Sequence, residues 1–168
     1  MVKFIMKIYA WIRRKLNPLV LPVAECWFTT YSKMEMHQYS TFINSFPYKS
    51  DKLGGLIDRT ETFEHFIDRT VETDRDCDDW ARMWSFWGIY NGYTAYEYIV
   101  LNKWHPFKTA HMVTILEKDG KFTLCNYRPY EEADSIEDAL EILKRIYPDY
   151  TKNLTYVEND HFKPLENN

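Results

Sequence analysis

Cys77 is the residue of this chain best placed to act as a nucleophile. It follows Asp76, a strong helix N-cap, and Asp79 lies three positions on as a short version of the capping-box acid. A cysteine in a first helical turn meets exposed backbone N–H groups and the positive end of the helix dipole, and both favour a thiolate. The same groups, the Cys77 N–H among them, can hold an oxyanion on a carbonyl that the sulfur attacks. Asp76, Asp78 and Asp79 oppose the thiolate, so the chemistry requires a cationic partner. These acids are expected on different sides of the turn, which argues for capping over a metal centre, and neither metal nor cofactor is expected.

The partner is found in a hairpin. Asp119-Gly120 is a strong two-residue turn signal between two apolar, strand-forming runs, residues 110–117 and 121–126. Such a turn pairs Lys118 with Lys121 and, counting outward, Val113 with Asn126 and His111 with Arg128. His111 and Asn126 then share one face, a diagonal apart, at about 7–8 Å between backbones. There the imidazole serves as base toward Cys77, and the Asn126 side-chain oxygen fixes its tautomer. A three-residue turn would put the two on opposite faces. His105 is the rival base, but it precedes Pro106 in a loop-like stretch and has no strand-borne orienting partner. Cys26 and Cys125 have no activating neighbours in sequence, and Cys125 is expected in the core.

The elements that must carry these residues follow from local signals. The helix begun at Asp76 shows a broad apolar face (Trp80, Ala81, Trp84, Phe86, Trp87) and stops at Asn91-Gly92. Residues 96–101 alternate as a strand. Ser135 caps a helix carrying Ile136, Leu140, Leu143 and Ile146, which Pro148 ends. Residues 155–157 suit an edge strand. Upstream, Phe63, Phe66, Ile67 and Val71 repeat at helical spacing, residues 47–55 read as a surface loop, and residues 26–31 have strand propensity without alternation. The order predicts an α+β domain in which a central helix carrying Cys77 packs against an antiparallel sheet.

Arg75-Asp-Cys-Asp-Asp-Trp-Ala81 resembles the Gly-Asp-Cys-Glu-Asp-Tyr-Ala signature of bacterial transglutaminase-like cysteine peptidases. His111-Met-Val-Thr-Ile and the following strand to Asn126 are similar to that family's histidine strand and its next strand, in the same chain order. The likeness covers about residues 60–130. It implies a papain-like, transglutaminase-like fold with Cys77 as nucleophile, His111 as base and Asn126 as orienting residue. It also implies an upstream side-chain oxyanion donor, for which Gln38 and Trp27 are the candidates. Three positions depart from the pattern. Arg75 stands where the family has Gly, and either screens the aspartates or obstructs the cleft. Met112 replaces a small residue, and Asn126 replaces Asp, so it orients the imidazole without adding charge.

Composition sets the outer limits. At 168 residues the chain is expected to form one domain over residues 18–158, with a flexible tail at 159–168. A net charge of −4 argues against nucleic acid as a partner. Three cysteines without CxxC spacing and no secretory leader point to a cytoplasmic protein with reduced thiols. Residues 1–17 hold five basic residues and no acid on an amphipathic pattern, which suits a helix docked on the domain or resting on an anionic membrane surface. The expected activity is hydrolysis of amide bonds in a peptide or protein, peptidoglycan stem peptides included. Rivals are transamidation by the same apparatus and an inactive fold kept as a binding module. Small size and the missing leader also suit a phage-borne protein acting inside a host.

Overall fold

The structure is a computed structural model that describes residues 30–49, 66–67, 75–102, 111–147 and 154–158. The predicted N-terminal helix, most of the apolar repeat at 63–71, Trp27, Cys26, His105 and the tail lie outside the described residues. Within them the chain is α+β, in the order α1 (Met36–Ile43), α2 (Cys77–Tyr90), β1 (Thr94–Asn102), β2 (His111–Lys118), β3 (Lys121–Cys125), β4 (Pro129–Ala133), α3 (Ile136–Ile146) and β5 (Leu154–Glu158). The strands form one antiparallel sheet in the spatial order β4-β3-β2-β1-β5. No helix among the described residues is long and apolar enough to cross a membrane.

Helix α2 begins where its cap dictates. The Asp76 side chain accepts the Asp78 N–H at 3.2 Å, and the Asp79 carboxylate accepts the Asp76 N–H at 3.0 Å, closing a reciprocal box. A cap of this kind is worth about 1 kcal/mol. The helix ends at Asn91, and Gly92 takes a left-handed φ of 77° that a side chain would resist. The β2–β3 turn is tight and two-residue: Asp119 and Gly120 both have positive φ, 54° and 74°, which gives a hairpin matched to strand twist. The register runs from Lys118 opposite Lys121 to Thr114 opposite Cys125.

Strand alternation splits the core into two layers. Leu116 faces α2 so closely that a Cβ on Gly88 would lie 2.3 Å from a Leu116 methyl, and Thr114 donates to the Ala81 carbonyl of α2 at 2.6 Å. Aromatic residues dominate that layer: Tyr39 of α1 packs on Trp84 and Trp87 of α2, with centroids 5.4 and 5.8 Å away. On the opposite face Val113 and Ile115 pack with Leu124 against Leu140 and Leu143 of α3. Helix α3 is amphipathic, is capped by Ser135 and carries Lys144 and Arg145 in its last turn, where cations complement the dipole.

Two elements depart from the sequence expectation, and residues 30–31, whose type the sequence leaves open, are helical. Helix α1 and strand β4 were not foreseen. Glu35 and Gln38 cap α1 reciprocally, a pair outside the Ser, Thr, Asp and Asn set that flags a helix start. Strand β4 opens on a proline, holds two exposed glutamates, and meets β3 through a register shift between Thr123 and Cys125, so its pattern is not that of a regular strand.

Candidate active site

The packing of α2 on β2 decides what lies near Cys77. Ala81 meets Thr114, and seven residues later Gly88 meets Leu116, so helix and strand run in the same sense. Cys77 is the first residue of α2 and His111 the first of β2, which brings both to one end of the sheet. Cys77 is half-buried, while Cys125 is fully buried and burial pushes its thiol up, leaving an inert core cysteine as expected.

His111 and Asn126 meet as the two-residue turn requires. The imidazole Nε2 donates to the Asn126 Oδ1 at 2.8 Å. An amide oxygen can only accept, so Nε2 carries the proton in this arrangement and Nδ1 is left with a lone pair. Asn126, 2% exposed, uses its amide nitrogen to donate to the Tyr147 hydroxyl at 3.0 Å, just beyond α3. Burial lowers the His111 pKa, and the bond to Asn126 offsets part of that fall. The imidazole is therefore neutral at neutral pH, in the state able to take a proton.

His111 and Asn126 leave the sheet on the α3 side, with Val100 and Val113, whereas α2 lies on the other side. A path from the Cys77 sulfur to the imidazole thus runs around the end of the sheet, not through it. Tyr127 stands at that end. Its ring lies 5.9 Å from His111, 6.2 Å from Trp80 and 6.1 Å from Tyr48. The Lys49 N–H bonds the Arg75 carbonyl at 2.8 Å, which holds Tyr48 alongside the start of α2. Tyr48 is 53% exposed overall, and partial desolvation of its hydroxyl, then the neighbouring Cys77 and Asp76, push the phenol up to about 12. Burial likewise raises Tyr127, with Tyr48 and Cys77 adding to it. Both phenols are therefore protonated at neutral pH, and a hydrogen bond links them.

Other expected site residues fall differently. Gln38 is exposed, and its side-chain oxygen accepts the Glu35 N–H at 3.2 Å within its own cap. It lies across α1 from Ser40 and Asn44, which both reach the Tyr127 carbonyl, so the helix turns it away from the cleft end. Arg75 does not obstruct the cleft: it is 4% exposed, donates to the Phe66 carbonyl at 2.8 Å and lies over the Phe46 and Phe66 rings. The expectation that the acids diverge fails for one pair. Ligand atoms of Asp76, Cys77 and Asp78 lie within 4.8 Å of one another, drawn together by the cap bond from Asp78 to Asp76, while Asp79 turns back to the Asp76 N–H. Tyr48, Tyr127 and Tyr147 were missed by sequence reasoning. The only signal that could have raised them was an aromatic content of 17%, which does not say which rings face a site.

Compared with known proteins, the chain matches no family model, no curated protein and no solved structure.

Proposed function

We propose that the protein is a cysteine amidohydrolase or peptidase with a transglutaminase-like arrangement of Cys77, His111 and Asn126. The observation that carries this reading is the 2.8 Å bond from His111 Nε2 to Asn126 Oδ1. It leaves Nδ1 unprotonated at the end of the sheet where α2 begins with Cys77. In the proposed cycle Nδ1 takes the thiol proton and the sulfur attacks an amide carbonyl, forming a C–S bond and an oxyanion. The Cys77 N–H and the Tyr48 hydroxyl are the donors proposed for that oxyanion in place of Gln38, with Trp27 outside the described residues. The imidazolium returns its proton to the leaving amine as the C–N bond breaks, and a thioester remains. Water, deprotonated by the same Nδ1, then releases the acid and restores the thiol.

An amine in place of water would make the same apparatus a transamidase, because the thioester is common to both routes. The turn of Arg75 into the core removes cleft blocking as an argument for the binding-module reading, which stays the rival that the alkylation rates decide. Cytoplasmic residence and a peptide substrate remain parts of the proposal.

The test is iodoacetamide labelling of the native chain across pH, with mass spectrometry assigning a rate to each cysteine and a His111→Ala variant alongside. Cys77 should react fastest, with an apparent pKa well below about 8.5 that rises in the variant. A Cys77 no faster than an unperturbed thiol, or one indifferent to His111, overturns the reading.

A further inference from the structure

We propose that Tyr147 is a positioning residue, a fourth member of the constellation that holds Asn126 in the one orientation able to support a charged His111. The inference rests on the reading of Cys77 and His111 as nucleophile and base, and it comes from α3, outside the stretch that resembles the peptidase family.

The argument is one of donors and acceptors. The relay runs from His111 Nε2 to Asn126 Oδ1 at 2.8 Å and from Asn126 Nδ2 to the Tyr147 hydroxyl at 3.0 Å. With a neutral imidazole the relay has two self-consistent directions. Tyr147 could instead donate to Oδ1, and Nδ2 to an unprotonated Nε2, which would put the ring proton on Nδ1. That reversed form has no lone pair for the thiol proton. Once His111 has taken that proton, both ring nitrogens are donors and the choice disappears: Oδ1 must face Nε2, and Nδ2 must face Tyr147. Asn126 is 2% exposed, so an Nδ2 without an acceptor there carries the full cost of a buried, unpaired donor. The Tyr147 oxygen removes that cost in the charged state specifically.

The rings around the imidazole make the acceptor matter more. Tyr147 meets His111 edge-on at 6.0 Å, and Tyr127 lies on another side at 5.9 Å. Both are ring contacts, so it is the amide of Asn126 that the structure shows hydrogen-bonded to the imidazole. The hydroxyl is held by the end of α3, where the Tyr147 N–H still bonds the Leu143 carbonyl at 3.1 Å. The position of the acceptor is thus tied to Leu143, the buried residue one turn before it.

The experiment uses long-range ¹H–¹⁵N spectra of the full chain, followed across pH for the wild type and Tyr147→Phe, with melting curves for both. The wild-type His111 should hold its neutral proton on Nε2. In Tyr147→Phe its titration midpoint should fall by about one unit, a tenfold loss of imidazolium. Cys77 alkylation by iodoacetamide at neutral pH should slow by a similar factor. A merely structural tyrosine would lower the melting temperature and leave the His111 midpoint in place, and that result overturns the proposal. An Nδ1 proton in the wild type overturns it without any variant, should the phenylalanine variant fail to fold. Slow Cys77 alkylation in the wild type with the expected tautomer and midpoint shift would sink the enzymatic reading and leave the relay standing.

Discussion

The two faces of the sheet solve the same packing problem with different chemistry. Toward α3 the buried contacts are mostly aliphatic, with Tyr98 among them: Val100, Val113, Ile115 and Leu124 meet Leu140 and Leu143. Toward α2 the same strands bury Glu97 and Thr114 among aromatic rings. The Glu97 carboxylate accepts from Ser85 at 2.9 Å and lies 3.7 Å from the Arg82 guanidinium, while Thr114 reaches both Ser85 and the Ala81 carbonyl. Apolar burial is non-directional and tolerates a helix sliding by a fraction of a turn. Hydrogen bonds to buried charge do not. Because Cys77 leads α2 and His111 leads β2, the polar face is the one that sets the distance between them. The aliphatic face supplies bulk stability and, through Tyr147, the far end of the relay.

The largest expected effect breaks that contrast directly. Glu97→Ala strips the buried Arg82 of this carboxylate and should cost about 3–5 kcal/mol in urea unfolding. Leu140→Ala, on the other face, should cost about 2–5 kcal/mol through the cavity it leaves. The two are separated by a second readout. In variants that stay folded, the Glu97 change should also slow Cys77 alkylation, whereas the Leu140 change should leave it near the wild-type rate. Equal effects on alkylation would mean that the polar face has no special hold on α2.

A smaller effect sharpens the comparison within the polar face. Gly88 is the point of closest approach, and a methyl there would meet the fully buried Leu116 side chain. Helix propensity alone would make alanine the better residue by about 1 kcal/mol. Overpacking should win, giving Gly88→Ala a net loss of about 1–3 kcal/mol by thermal or chemical unfolding. A Gly88→Ala protein as stable as the wild type would show that α2 can lift off β2 at no cost, and that their packing register is loose.

What could be read in advance divides along the same physical line. The start of α2 and the β2–β3 register rest on residues a few positions apart, Asp76 with Asp79 and Asp119 with Gly120, so local chemistry announces them. The pairing of His111 with Asn126 follows from that turn by counting. The direction of Arg75 does not: its neighbours in sequence are aspartates, yet its side chain turns toward Phe46 and Phe66. Tyr48, Tyr127 and Tyr147 come from three separate segments, and only tertiary packing brings their hydroxyls to one end of the sheet. Helix α1 escaped because its cap is built from Glu35 and Gln38, residue types that also populate helix interiors.

The smallest expected effect concerns the charge of His111. Burial lowers its pKa below the ordinary 6.5, and the bond to Asn126 restores only part of the difference. The unfolded chain therefore binds a proton at a higher pH than the folded one does. Between that ordinary value and the lower folded one, ∂ΔG/∂pH is positive, because the unfolded state holds more protons. Stability from this residue is complete above about pH 6.5 and drains away as the pH falls through the window below it. His111→Gln keeps an N–H donor for the Asn126 oxygen and cannot titrate. Urea midpoints of the two proteins, taken from pH 5 to pH 8, should converge on a constant difference at the upper end. Toward the lower end the wild type should lose stability relative to the variant. A difference that stays flat across the range would place the imidazole in water, and with it the end of the sheet that Tyr127 and Tyr147 enclose.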